Sequence, residues 1–178
     1  MSSYFVMSRR FQKRTASDFG LSDLGDGMAI RSSDGSLWQK ALLYDLGWGP
    51  ENGYCRVPLP GFPQLLDIVL RESDEEDVFG AAAMIERHYP ELLLERCEEM
   101  MPDPARAADF DKMVRIFRLY HPVNRCPIEG KQTDEIRSDS ERWSRIAETA
   151  AVVKQKSEGG QRKRRRWFSA LRRTKTDL

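Results

Sequence analysis

The sequence predicts an all-α protein. Four to five helices pack as antiparallel hairpins over residues 36–156, between an irregular N-terminal arm and a disordered basic C-terminal tail. Three observations lead there. Apolar residues beyond residue 62 recur at helical spacing, as in Val78, Ala82, Ile85 and Tyr89. Residues that start helices stand just ahead of those runs: Pro63, Ser73, Pro90 and the pair Asp103-Pro104. Finally, 40% apolar and 10% aromatic residues in a chain of 178 are enough to bury the core of one domain. The expected organisation is a loose arm or small hairpin over residues 1–35, a helical domain over 36–156 and a flexible basic tail over 157–178.

In the arm, "SYFVMSR" and "GMAIRSS" are short β-compatible runs and "SSDGS" is a turn. "SLWQKALLYDLGWG" reads as the first helix. Ser36 is its cap, Leu37, Ala41 and Tyr44 form one stripe, and Gly47 is the left-handed closing residue. "WGPENGYCRVPLPGFP" is dense in Pro and Gly and is expected to be a connector with defined turns, neither helix nor sheet. Pro63 then opens a helix whose Leu65, Leu66, Ile68, Val69 and Leu70 cover most of its circumference, so it should be buried on most sides. Ser73 with Glu76 forms a capping box for the next helix, and Asp74, Glu75, Glu76 and Asp77 read as solvated first-turn acids favoured by the helix dipole.

Pro90 opens "PELLLERCEEMM", with Leu93, Cys97 and Met100 inward. Asp103 and Pro104 open another helix, with Phe110, Met113, Val114, Phe117 and Tyr120 on its apolar face. The last helix, residues 134–156, places Ile136, Trp143, Ile146, Ala150 and Val153 on a heptad-like seam and stops at "SEGGQ". Trp38, Phe79, Ile85, Leu93, Phe110, Phe117 and Trp143 are the expected core.

The stretch "FPQLLDIVLRESDEEDVFGAAAMIERHYPELLL", residues 62–94, resembles one unit of the HEAT-type helical repeat. The Pro before Leu65-Leu66, the later Leu70, the acidic turn with Asp74, and Val78 followed by Ala82-Ala83 and Ile85 carry the likeness. The resemblance implies a HEAT-like helical hairpin and a protein-binding scaffold that does no chemistry.

Little else in the chain is arranged for catalysis. His88 and His121 are the only histidines, and their spacing to Cys97 and Cys126 matches no recurrent zinc pattern. "GLSDLGDG" lacks the Lys-Ser/Thr ending of a phosphate-binding loop. No cofactor is expected. Three widely spaced cysteines fit reduced thiols, no apolar run is long enough to span a bilayer, and the expected location is cytoplasmic, or nuclear in a eukaryote.

The 29 Lys/Arg and 28 Asp/Glu nearly cancel, yet residues 162–178 hold eight of the bases and one acid, which leaves the rest of the chain net negative. In "QRKRRRWFSALRRTKTDL", Trp167, Leu171, Thr174 and Leu178 share a helical face with Phe168 beside it and Arg around most of the rest. Two functions follow as expectations, with a small hydrolase as a third. One is a non-enzymatic protein–protein interaction module, adaptor or inhibitor-like, with an unidentified protein partner. The alternative is a polyanion-binding protein acting on nucleic acid or an anionic membrane through residues 162–175, with Arg164, Arg165, Arg166, Trp167, Phe168, Leu171, Arg172 and Arg173 as the contact residues.

Overall fold

Among the described residues five strands precede the first α-helix: β1 Phe5–Ser8, β2 Leu21–Gly25, β3 Met28–Arg31, β4 Leu37–Asp45 and β5 Pro50–Val57. The structure is a computed structural model that describes residues 4–8, 14–45, 50–101 and 103–173. The strands pair antiparallel throughout, in the order β1-β5-β4-β3-β2. Helices follow: α1 Phe62–Arg71, α2 Glu75–His88, α3 Pro90–Met100, α4 Ala107–Ile116 and α5 Thr133–Arg173. Two short 3-10 turns, Ala16–Phe19 and Pro104–Arg106, precede β2 and α4. The chain forms two compact units, Met1–Glu95 and Arg96–Leu178, with α3 running from one into the other.

The sheet overturns the all-α expectation, and the HEAT-type repeat falls with it. α1 and α2 do pair as a hairpin, but α2 lies on β1 and β4, where a repeat array would place another helix pair. By strand register, Phe5, Met7, Leu43 and Cys55 share the sheet face that α2 covers, and all four are buried. Opposite them Val78, Ala81, Ala82 and Ile85 are buried on α2. Gly80 faces Phe5 so closely that a Cβ there would overlap the ring, so this position holds the smallest residue for lack of room. On the other face Val6, Phe19, Leu21, Ala29 and Trp38 form a second apolar cluster, closed by the Ala16–Phe19 turn.

Each misread element has a physical reason. The run Leu37–Asp45 satisfies a helical stripe by coincidence. As a strand with apolar neighbours on both faces, it buries Trp38 on one side and Leu43 on the other, without clean alternation. Ser36 caps no helix; its hydroxyl accepts from Trp38 Nε1 at 2.8 Å. The supposed connector contains β5, an inner strand, because its Pro and all its Gly but Gly53 gather at the ends. Pro50 starts the strand and Pro58 follows it. Inside it, Gly53 is required because β1 passes too close for a side chain. The arm is not irregular: its two β-compatible runs form β1 and β3, and β2 with β3 makes the small hairpin that was the other expectation. At the other end α5 passes through Gly159 and Gly160 without a break and stays helical to Arg173, so the expected stop and disordered tail are also corrected. Gly47, Thr174, Lys175 and Leu178, to which roles were assigned from sequence, lie outside the described residues.

The remaining helices begin near where the sequence put them. Asp103 accepts from the Ala105 N–H at 2.9 Å, and the cap of α2 is Asp74, one residue beyond Ser73. Six of the seven expected core residues are buried; Phe79 is half-buried.

Candidate functional site

In the first unit two carboxylates do structural work. Asp77, 3% exposed, accepts the backbone N–H groups of Tyr4 and Phe5 on one oxygen, both at 2.8 Å. It thereby clamps the first strand to α2. Asp34 accepts from the Ser36 N–H at 2.9 Å and from its hydroxyl at 2.6 Å, which holds Ser36 in place for the Trp38 indole. The two Ser36 hydrogen bonds, side chain first, draw the Asp34 pKa below the usual carboxylate value. The Arg31 guanidinium covers the Trp38 ring at 4.1 Å.

An open cleft of about 720 Å³ lies on the sheet face that carries Trp38. Arg14, Thr15, Ser17, Ser22, Lys40 and Tyr54 line it. Lys40 on β4 stands directly opposite Tyr54 on β5, so the ammonium stem and the phenol are cross-strand neighbours on one face. Neither side chain has a hydrogen-bond or ionic partner among the described residues. Arg14 reaches Glu76 through Nη1 at 3.3 Å and lies over the Phe19 ring at 5.5 Å. The Thr15 hydroxyl donates to Asp18 at 2.8 Å, which makes Ser17 the donor in their 2.9 Å contact and occupies both protons. Thr15 N–H and hydroxyl also pull the Asp18 pKa down, the N–H having the larger effect. Asp23 adds a carboxylate to the lining, with one oxygen taken by the Gly25 N–H at 2.8 Å. None of these cleft residues was singled out from the sequence. The available signal was the alternation that puts Lys40 and Tyr54 on one strand face, which a helical reading of residues 36–47 concealed.

In the second unit the charged groups form a chain. Arg142 binds Glu98 through two nitrogens, at 2.6 and 3.0 Å, and approaches Asp139 at 3.7 Å. Asp139 in turn accepts from Lys131 at 2.7 Å, and Arg145 lies 3.7 Å from Glu98. The Arg142 hydrogen bond keeps the Glu98 pKa low. Cys97 is fully buried, and loss of hydration pushes its thiol up to about 12, far from a reactive thiolate. His88 and His121 are exposed, each beside a tyrosine ring. Among the described residues no group of three or more His, Cys, Asp or Glu is arranged to hold a metal ion.

The residues assigned to polyanion binding, Arg164 to Phe168 and Leu171 to Arg173, lie in the last turns of α5. At about 100° per residue, Trp167, Phe168 and Leu171 occupy positions within one arc of about 100°, and Arg162, Arg165, Arg166, Arg172 and Arg173 occupy another on the far side. Arg164 is placed within the aromatic arc. No described helix is long and apolar enough to cross a membrane. Comparison with protein-family models, curated proteins and solved structures gave no match.

Proposed function

We propose that this protein is a non-catalytic binding protein that docks on an anionic membrane surface through the C-terminal part of α5. The observation that carries this reading is the unbroken helix from Thr133 to Arg173. A disordered tail has basic and aromatic residues in sequence only. A helix sorts them by position into an aromatic arc and a basic arc, the pattern of a helix lying in the interface plane. Each base near an anionic surface contributes about 1 kcal/mol, and the aromatic arc adds insertion that salt does not remove. The test is co-sedimentation of the full chain with vesicles rich in phosphatidylserine. Binding should be strong at low salt and should collapse in the Trp167→Ala, Phe168→Ala double variant. Duplex DNA is the control. If the double variant binds vesicles as well as the parent does, and duplex DNA binding falls steeply with salt at a log–log slope of roughly −4 to −6, nucleic acid replaces the membrane as partner.

A second reading, contact of the body with a protein partner, has its own observation. Met28 and Ile30 on β3 and Leu37 on β4 share the α2-side face of the sheet, and none is fully buried, Leu37 being 43% exposed. Stoichiometric capture of a protein that survives deletion of residues 157–178 and is lost in Leu37→Asp would move the function to that face.

A further inference from the structure

We infer that the cleft between the Ala16–Phe19 turn and the sheet binds a phosphomonoester of about mononucleotide size, with the phosphate at Lys40 and Tyr54 and a hydrogen-bond donor at the other end facing Asp23. The cleft volume of about 720 Å³ falls within the roughly 300–1,000 Å³ of small-molecule sites. It extends from β2, which carries Asp23, across to β5, which carries Tyr54. Three strand spacings make that about 14 Å, more than a lone inorganic ion fills.

The lining is bipolar. At one end Lys40 offers an ammonium with three donors and Tyr54 one, both unengaged among the described residues. Arg14 also lines the cleft, with one nitrogen on Glu76 and the rest of the guanidinium available. This supply exceeds what a single carboxylate accepts and suits the three terminal oxygens of a phosphate. Thr15 and Ser17 are not counted, since their protons are held within the turn. At the other end Asp23 repels a second anionic group and accepts from an amine or hydroxyl. A sugar hydroxyl or an exocyclic amine of a base meets that requirement; a diphosphate or a dicarboxylate does not. The cleft lies wholly within the first unit and is independent of α5.

Calorimetric titration of the full chain with the common ribonucleoside 5′-monophosphates, one at a time, and with inorganic phosphate tests the inference. One nucleotide should bind saturably and more tightly than phosphate alone. Lys40→Ala removes an exposed side chain whose loss leaves the fold intact, and it should weaken that binding roughly ten-fold or more. Asp23→Asn keeps an acceptor for the Gly25 N–H; it should weaken the nucleotide and leave phosphate unchanged. Three results would overturn the inference: no saturable binding of any of these compounds, binding unchanged in Lys40→Ala (as the basic end of α5 would give), or phosphate bound as tightly as the best nucleotide.

Discussion

In the first unit three carboxylates grip neutral donors, while Glu76 pairs with Arg14. Asp77 takes two backbone N–H groups of the first strand, Asp34 takes the N–H and hydroxyl of Ser36, and Asp18 takes those of Thr15. In the second unit Glu98 and Asp139 grip cations, in the chain Lys131–Asp139–Arg142–Glu98, beside the Asp103 and Glu135 contacts to backbone N–H groups. The difference follows from what each unit must hold. A sheet edge presents backbone N–H groups that need acceptors if they are buried, and one carboxylate from a neighbouring helix supplies them. Helices satisfy their own backbone, so charged side chains between them are left to pair with one another. Of the first kind, the Asp77 grip is buried, short-ranged and indifferent to ionic strength, whereas Asp34 and Asp18 stand exposed. The second is part-exposed, with Arg142 and Glu98 side chains about a third accessible, and is open to screening.

The largest effect should come from removing the buried acceptor. Asp77→Ala leaves the N–H groups of Tyr4 and Phe5 without their partner, at about 1–3 kcal/mol for each donor left buried. Asp77→Asn retains one acceptor oxygen and should lose clearly less. Urea denaturation at low and high salt checks both, and the Asp77→Ala loss should be the same at either salt concentration. A loss under about 0.5 kcal/mol would place the clamp outside the cooperative unit.

A middle-sized effect is expected at the same seam. Gly80→Ala puts a methyl group into the Phe5 ring, and Phe5 is fully buried, so β1 or the ring must shift. Overpacking of this kind costs about 1–3 kcal/mol. Alanine is the better helix former by up to about 1 kcal/mol, so a stabilised Gly80→Ala would show that β1 does not press on α2. Placed beside the Asp77 variants, it separates the packing part of the clamp from the hydrogen-bonded part.

These two residues also show how much the sequence disclosed. α2 was legible, since Val78, Ala82 and Ile85 recur at helical spacing, although its cap is Asp74 and not the expected Ser73. Its partner was not. Nothing local distinguishes a helix stripe that meets another helix from one that meets a sheet, and so the hairpin took on the look of a repeat. Asp77 was read as one of four solvated acids, because its burial depends on Tyr4 and Phe5, more than 70 residues away in sequence. β4 was lost to a coincidence of spacing, and β5 to the Pro and Gly that flank it. With both strands gone, Lys40 and Tyr54 could not be seen as neighbours. At the far end the basic–aromatic residues were legible as composition. The continuous helix was not, because Gly159-Gly160 reads locally as a stop.

The smallest effect belongs to the ion pairs, and it tests the comparison from the other side. A double-mutant cycle on Glu98→Gln and Arg142→Ala should return a coupling of only about 0.2–1 kcal/mol, the range of part-exposed pairs, despite the two-nitrogen geometry. Arg142 holds the Glu98 pKa below its ordinary value, chiefly through the hydrogen bond. The folded state therefore binds the Glu98 proton less readily than the unfolded chain does. The contribution is fully present above the unfolded pKa, near 4.3, and is lost as pH falls through the depressed folded value. Glu98→Gln should flatten that part of the acid limb. At about 1 M salt, where the screening length is roughly 3 Å, the coupling should shrink towards zero. The Asp77→Ala cost measured in the same buffers should not move. Should the Glu98–Arg142 coupling persist undiminished at high salt, the pair is more enclosed than its exposure indicates, and the two units no longer differ in the way they hold charge.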